Sequence, residues 1–234
     1  MNKINWFYNS ERAQRSRWLC ERFTKELCEC RTLLDVGCSQ SELKAYLPAS
    51  IDYKGLDIAG NPDFKINLDQ ATRLPFEDLQ FEAVVCADVL EHLENIHFVF
   101  DELCRIVSRY LIITLPNPAY GAYRYFFKKK YANRTQKNTF GVYMKYYGLP
   151  IEKPVDRHRW FYGYDEAVRF ITYRSKKNGL AVKVVENNLI FENRFQWKKI
   201  IVNALKYINP NVAFRDLIFL IQKPLVHRTE NIND

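Results

Sequence analysis

Long apolar runs are missing from this chain. None approaches the roughly 18–20 residues that a bilayer-spanning helix needs, and the opening MNKINWFYNSERAQR lacks the apolar core of a secretory signal, so a soluble, cytoplasmic protein is expected. Glycine and proline are scarce, at 8 and 9 of 234 residues, which excludes collagen-like and low-complexity chains. Cysteine is sparse too: Cys20, Cys28, Cys30, Cys38, Cys86 and Cys104, several of them inside apolar runs, read as buried thiols and not as a disulfide frame. Cys28 and Cys30 form the one close pair, and without further ligands at matching spacing no zinc is assigned to them. What remains, 47% hydrophobic and 26% charged residues, is the composition of a globular protein, and the length suits one domain.

Acids are nearly absent from one stretch. Of the 35 Lys and Arg, ten lie between 121 and 160 against two of the 27 acids, leaving 25 of each sign elsewhere, so the whole net charge of +8 sits there. Ten aromatic residues (Tyr123, Tyr125, Phe126, Phe127, Tyr131, Phe140, Tyr143, Tyr146, Tyr147 and Trp160) interleave with those cations. Such a stretch suits stacking on bases, holding an anionic acceptor, or lying on acidic lipid; it equally suits a small packed subdomain with solvated lysines.

Elsewhere, short apolar runs alternate with helical spacing. A helix is expected over 10–30, with Ser10 as its cap. Strands are expected at Thr32–Val36, Tyr53–Ile58, Phe64–Leu68, Phe81–Ala87, Tyr110–Leu115, Ala181–Val185 and Leu217–Ile221. Further helices are expected at Ser41–Tyr46, His97–Ser108, Tyr164–Lys177 and Arg194–Ile208. The alternation predicts a mostly parallel sheet with helices on both faces.

Ligands of such sheets bind beyond the carboxyl ends of the strands. The first strand ends in Asp35-Val36-Gly37-Cys38-Ser39-Gln40-Ser41-Glu42, a tight turn in which Ser39 and Ser41 stand where a dinucleotide site would want glycine. Glu42 would repel a diphosphate, so a phosphate-free nucleotide is favoured. Asp57, twenty residues after Gly37, can accept from both hydroxyls of a ribose, and Asp69 can accept from an exocyclic amine while Leu68 offers an apolar wall. Taken singly, each acid also suits a cap or a turn.

As an ordered set, DVGCSQS, GLDIAGNPD and NLDQATRLPFEDLQFEAVVCADVLEHLEN resemble the class I S-adenosylmethionine-dependent methyltransferases, over about residues 31–117. The resemblance implies a Rossmann-like α/β fold with a mostly parallel seven-stranded sheet. It implies S-adenosylmethionine as cofactor, with Asp35 and Gly37 at the methionine end, Ser39 a further cofactor-binding residue that departs from the usual glycine, Asp57 on the ribose, Leu68 and Asp69 around the adenine, and Cys86 to Asp88 beneath the sulfonium. One domain is expected: a helix over 1–30, a cofactor-binding half over 31–118, a basic aromatic lid over 119–163, and a C-terminal half over 164–234 with an extra helix at 194–208.

Methyl transfer to a hydroxyl needs a proton acceptor, and histidine is the natural one near neutral pH. His158, before the helix opened by Tyr164, resembles the acceptor-side histidine that family members carry after the fifth strand, and His92 in LEHLEN is the second candidate. His97 is expected to be structural, and His227 lies in a polar tail. Asp88, Glu91 and His92 also resemble a metal-binding arrangement of small-RNA and quinone methyltransferases, with His158 as a further donor and magnesium or manganese as the ion. The same run suits a plain helix start, and no metal is assigned. Asn117-Pro118-Ala119-Tyr120 resembles an amino-methyltransferase motif but stands one strand too late. The expected activity is O-methylation of a small or carrier-linked, anionic acceptor such as a glycan or lipid-linked intermediate; RNA methylation and a non-catalytic cofactor-binding module are the alternatives.

The charge of 121–160 generates a test. Raising salt from about 50 to 200 mM should raise the acceptor's KM several-fold in initial-rate measurements while cofactor affinity hardly moves, because screening acts on exposed charge. A polyanion such as RNA should give a steep log–log salt slope and a mono- or diphosphate a shallow one, and replacing Lys128, Lys129 and Lys130 together by Ala should flatten either.

Overall fold

The computed structural model describes residues 12–119, 122, 157–189, 209, 211 and 214–224. Two short helices, α1 (Arg12–Arg22) and α2 (Thr24–Cys28), lead into β1 (Thr32–Val36), β2 (Asp52–Asp57), β3 (Phe64–Lys65) and β4 (Phe81–Ala87). Then come α3 (Ile96–Ile106), β5 (Val107–Pro116), α4 (Tyr164–Lys177), β6 (Ala181–Leu189) and β7 (Phe214–Gln222). The seven strands form one sheet in the order β3-β2-β1-β4-β5-β7-β6. β1 pairs in parallel with both β2 and β4, so strand order reverses beside β1; only β7 runs antiparallel to its neighbours β5 and β6. This is the mostly parallel, seven-stranded α/β sheet that the sequence implies.

The central strands are apolar on both sides because both faces are covered. Leu34, Val36, Leu56, Val84, Cys86, Leu111 and Ile113 pack with Val99, Phe100 and Leu103 of α3 and Ile171 of α4. Their strand neighbours Leu33, Ala83, Val85, Tyr110 and Ile112 alternate to the other face and pack under Trp18 and Leu19 of α1, Leu27 of α2 and Phe23 between the two helices. In α3 the buried residues Ile96, Val99, Phe100, Leu103 and Cys104 recur at helical spacing, which docks one stripe on the sheet.

The expected helix over 10–30 is split at Phe23, β5, β6 and β7 run longer than expected, β2 is shifted by one residue, and three further boundaries differ for readable reasons. Residues Glu42–Tyr46 form a 3-10 turn instead of an α-helix, because Pro48 forces Leu47 into extended backbone and leaves no room for a second turn. β3 stops at Lys65, where the Asn67 side chain turns back to accept from the Asp69 N–H. Helix α3 ends at Ile106 and not at Ser108, since the β-branched Val107 already pairs with Phe81. The expected helix 194–208 and nearly all of the basic stretch lie outside the described residues. Five of the six cysteines are buried thiols, Cys28 being exposed. Among the described residues no helix is long and apolar enough to cross a membrane.

The loop between β3 and β4 is held by one arginine. Arg105 donates to both carboxylate oxygens of Glu102 at 2.7 Å, to the carbonyls of Phe76 and Leu74, and to Asp78; Glu102 also accepts from the Leu74 N–H at 2.7 Å. Arg105→Ala leaves a largely buried carboxylate without its cation and should lower unfolding free energy by about 2–4 kcal/mol in urea titrations at pH 7. The Arg105 hydrogen bonds hold the Glu102 carboxyl below its ordinary 4.5. A depressed carboxylate stabilises the fold above that value, so the gap between wild type and variant should shrink as pH falls below it.

Candidate active site

The carboxyl ends of β1, β2 and β4 meet at the strand-order reversal. Gly37, at φ 81°, turns the chain out of β1, and a Cβ there would lie 2.2 Å from Val89 Cγ2. The loops after β1 and β4 are therefore in contact, and only glycine fits. Ser39 and Ser41 keep the left-handed backbone (φ 52° and 60°) that glycine would supply, as does Asp88 (φ 53°); each costs roughly 1–2 kcal/mol of conformational strain.

Asp57 is already oriented: one oxygen accepts from the Ser39 N–H at 2.8 Å and the other from the Ala59 N–H at 3.1 Å. Asp69 accepts from the Asn95 N–H at 3.1 Å, tying the third strand end to the start of α3. Leu68 is buried in the core cluster. Asp35 is buried as well, and its carboxylate accepts from the Tyr53 hydroxyl at 2.8 Å. Burial pushes its carboxyl up to about 7 against the Tyr53 hydrogen bond, with Glu42 adding to the rise and Arg12 opposing it. Cys86 is wholly buried, and burial holds its thiol well above the usual range, so it is a packing residue and no nucleophile.

Helix α1 supplies two residues that sequence reasoning missed. Arg12 donates to the Gly37 carbonyl at 3.1 Å, and Arg15 is ion-paired with the Asp88 carboxylate. The signal was an i, i+3 pair of arginines one turn before Trp18 and Leu19, which anchor the helix on the sheet. Thr114 of β5 completes this group, its hydroxyl donating to Asp88 Oδ1 at 2.6 Å.

Asp88 therefore belongs to a network with Arg15 and Thr114, whereas Glu91 and His92 meet His158. The side chains of Glu91 and His158 are 1% and 4% exposed. His92 Nε2 and His158 Nε2 stand 3.6 and 3.9 Å from the same oxygen, Glu91 Oε1, and the two rings pack edge to face at 4.4 Å. His158 is held there by backbone: the Arg159 N–H donates to the Glu91 carbonyl at 2.8 Å, and the Trp160 indole to the Leu93 carbonyl at 2.7 Å. His97 packs edge-on against Phe170 and Trp160. Asn117 donates to the carbonyls of Asn211 and Phe214, a structural use of its amide.

The strand-end geometry generates a test of the cofactor side. On the expectation that Asp57 accepts from a ribose, Asp57→Ala removes hydrogen bonds worth about 2–4 kcal/mol when charge-assisted and should weaken S-adenosylmethionine binding tens to hundreds of fold in calorimetry. Unchanged affinity in a folded variant would exclude Asp57 from the site.

Residues 34–110 match the family model described as a methyltransferase domain. No curated protein matches the chain. Among solved structures, a putative S-adenosylmethionine-dependent methyltransferase from Listeria monocytogenes aligns over 90% of this chain and 99% of its own, at 11% identity and a TM-score of 0.57. A S-adenosylmethionine-dependent methyltransferase from Mesorhizobium loti aligns over 89% and 98%, at 14% identity and a TM-score of 0.53. Magnesium protoporphyrin IX methyltransferase from Synechocystis PCC 6803, with bound SAH, aligns over 94% and 91%, at 15% identity and a TM-score of 0.50. Identities this low establish the fold alone, but the family match spans every strand end described above, from Asp35 through Asp57 and Asp69 to Asp88. Residues 34–110 are thus similar to a methyltransferase domain, set in a sheet whose fold these solved methyltransferases share.

Proposed function

We propose that the enzyme transfers the methyl group to a hydroxyl oxygen of a small or carrier-linked acceptor. The observation that carries this reading is the convergence of His92 and His158 on the buried carboxylate of Glu91, in the loop that follows β4. Methyl transfer is an in-line displacement: the acceptor oxygen forms a bond to the methyl carbon as the carbon–sulfur bond breaks, and the sulfonium becomes a neutral thioether. A hydroxyl must lose its proton in the process, and the imidazole pair is the group placed to receive it.

The remaining roles follow from position. Asp57 holds the ribose, and the turn from Gly37 to Ser39 passes beneath the methionine end. Arg12 and Arg15 offer guanidinium groups to its carboxylate, and Asp35 or Asp88 an acceptor to its ammonium. Segment 157–163 closes the acceptor side, pinned to Leu93 by Trp160 and to the end of β5 by the Tyr162 hydroxyl, which donates to the Pro116 carbonyl at 2.8 Å. The cationic stretch of 121–160 supports an anionic acceptor, a phosphate- or carboxylate-bearing molecule.

His158→Ala should keep cofactor affinity in calorimetry and lose at least about a hundredfold in turnover, the scale of a lost proton-transfer group. The acceptor pool is found by incubating the protein with labelled S-adenosylmethionine and fractionated extract. Label entering small-molecule, glycan or lipid-linked fractions supports this reading; label confined to RNA replaces it with nucleic-acid methylation.

A further inference from the structure

We infer that the first turns of α1 form an electrostatic latch across the crevice between the ends of β1 and β4, which yields to a ligand carrying a zwitterionic amino-acid group and not to a neutral one. Arg12 and Arg15 stand one helical turn apart, on the side of α1 that continues into the buried Trp18 and Leu19, so both reach towards the sheet. Each takes one lip of the crevice. Arg12 donates to the Gly37 carbonyl at 3.1 Å on the β1 side, and Arg15 is ion-paired with the Asp88 carboxylate on the β4 side. Gly37 and Val89 bring those lips into contact where strand order reverses, the place at which a parallel sheet takes its ligand.

The Arg15–Asp88 pair is shielded, its side chains 16% and 17% exposed. Asp88 is also fixed from β5: the Thr114 hydroxyl donates to its Oδ1 at 2.6 Å and accepts from its N–H at 3.0 Å. The carboxylate therefore cannot follow a departing Arg15, and withdrawing the guanidinium alone would leave a largely buried charge uncompensated. A neutral ligand offers nothing in its place. An amino-acid group offers both replacements at once, its ammonium to the Asp88 carboxylate and its carboxylate to the Arg15 guanidinium. One ion pair becomes two, and no charge is stranded. The Gly37 carbonyl, given up by Arg12, is a further acceptor for the same ammonium.

The latch rests on the cofactor placement proposed above, with the methionine end between Gly37 and Asp88, and adds a condition to it. The amino-acid end must exchange with contacts that the free protein already makes, so its binding is coupled to α1. Selectivity follows from that coupling. Adenosine thioethers with and without the amino-acid end share the contacts with Asp57 and Asp69 and differ at the latch, which makes Arg15 a specificity-determining residue. Were Arg15 only a dock for α1, its loss would loosen the helix and weaken both kinds of ligand alike.

Two uncharged thioethers serve as probes: S-adenosylhomocysteine, which carries the zwitterion, and methylthioadenosine, which lacks it. Calorimetry on the wild type should find the first at least about a hundredfold tighter. Arg15→Gln should weaken S-adenosylhomocysteine by about 30- to 100-fold and leave methylthioadenosine within about threefold. Hydrogen exchange of the α1 amides is read on the wild type and needs no variant to fold. It should slow at least about fivefold with saturating S-adenosylhomocysteine and hardly change with saturating methylthioadenosine. Equal losses for both ligands in folded Arg15→Gln, or no loss for either, overturn the latch while the cofactor site stands. So does an α1 response to methylthioadenosine as large as that to S-adenosylhomocysteine. Folded wild type that binds neither ligand discards the cofactor placement and the latch with it.

Discussion

The contact between Gly37 and Val89 is the constraint from which the site follows. With 2.2 Å between a notional Cβ and Val89 Cγ2 and a φ of 81°, a side chain at residue 37 would be strained and would displace Val89 from the end of β4. That approach places the turn carrying Ser39 and Ser41 on one side and the run from Asp88 to His92 on the other. Both sides rely on left-handed backbone at non-glycine residues, a strain that the packed strands beneath must offset. The core can do so because the central strands are buried on both faces, where the strand ends have no freedom to relax.

Charges of both signs stand together at the strand ends. Asp35, Asp57 and Asp88 stand at three strand ends, and Arg12 and Arg15 reach over them from α1. Asp35, with its carboxyl at about 7 against the ordinary 3.8, binds a proton more tightly in the folded chain than in the unfolded one. Its sign is thus opposite to that of Glu102: raising pH from 3.8 towards 7 removes stability at Asp35 and adds none. Arg15 has the complementary position, neutralising the Asp88 carboxylate.

Much of this was legible in the sequence, for reasons that differ from residue to residue. β1, β4 and α4 were readable because uninterrupted apolar runs and a clean helical period leave one assignment. Asp57 and Gly37 were readable because strand ends impose residue types. The 3-10 turn at Glu42–Tyr46 was hidden because its apolar spacing is helical and only Pro48 shortens it. Arg12 and Arg15 were hidden because arginines on an N-terminal helix look like solvated charge until the helix is docked. Asp88 was grouped with Glu91 and His92 by spacing, but its left-handed φ and the Thr114 hydroxyl give it to a different network. His158 was named for its place before α4, while its meeting with Glu91 depends on a long-range backbone hydrogen bond that no local pattern encodes.

That long-range meeting also joins parts of the chain held by different constraints. The strand ends at Asp35, Asp57 and Asp88 belong to strands whose register is fixed by the sheet. The turn at Glu91 and His92 instead meets a segment that returns after β5, fastened by Trp160 on Leu93 and Tyr162 on Pro116. The distance between Glu91 and His158 is therefore set by these fastenings and by the Arg159 N–H on the Glu91 carbonyl, and not by any local pattern of the sequence.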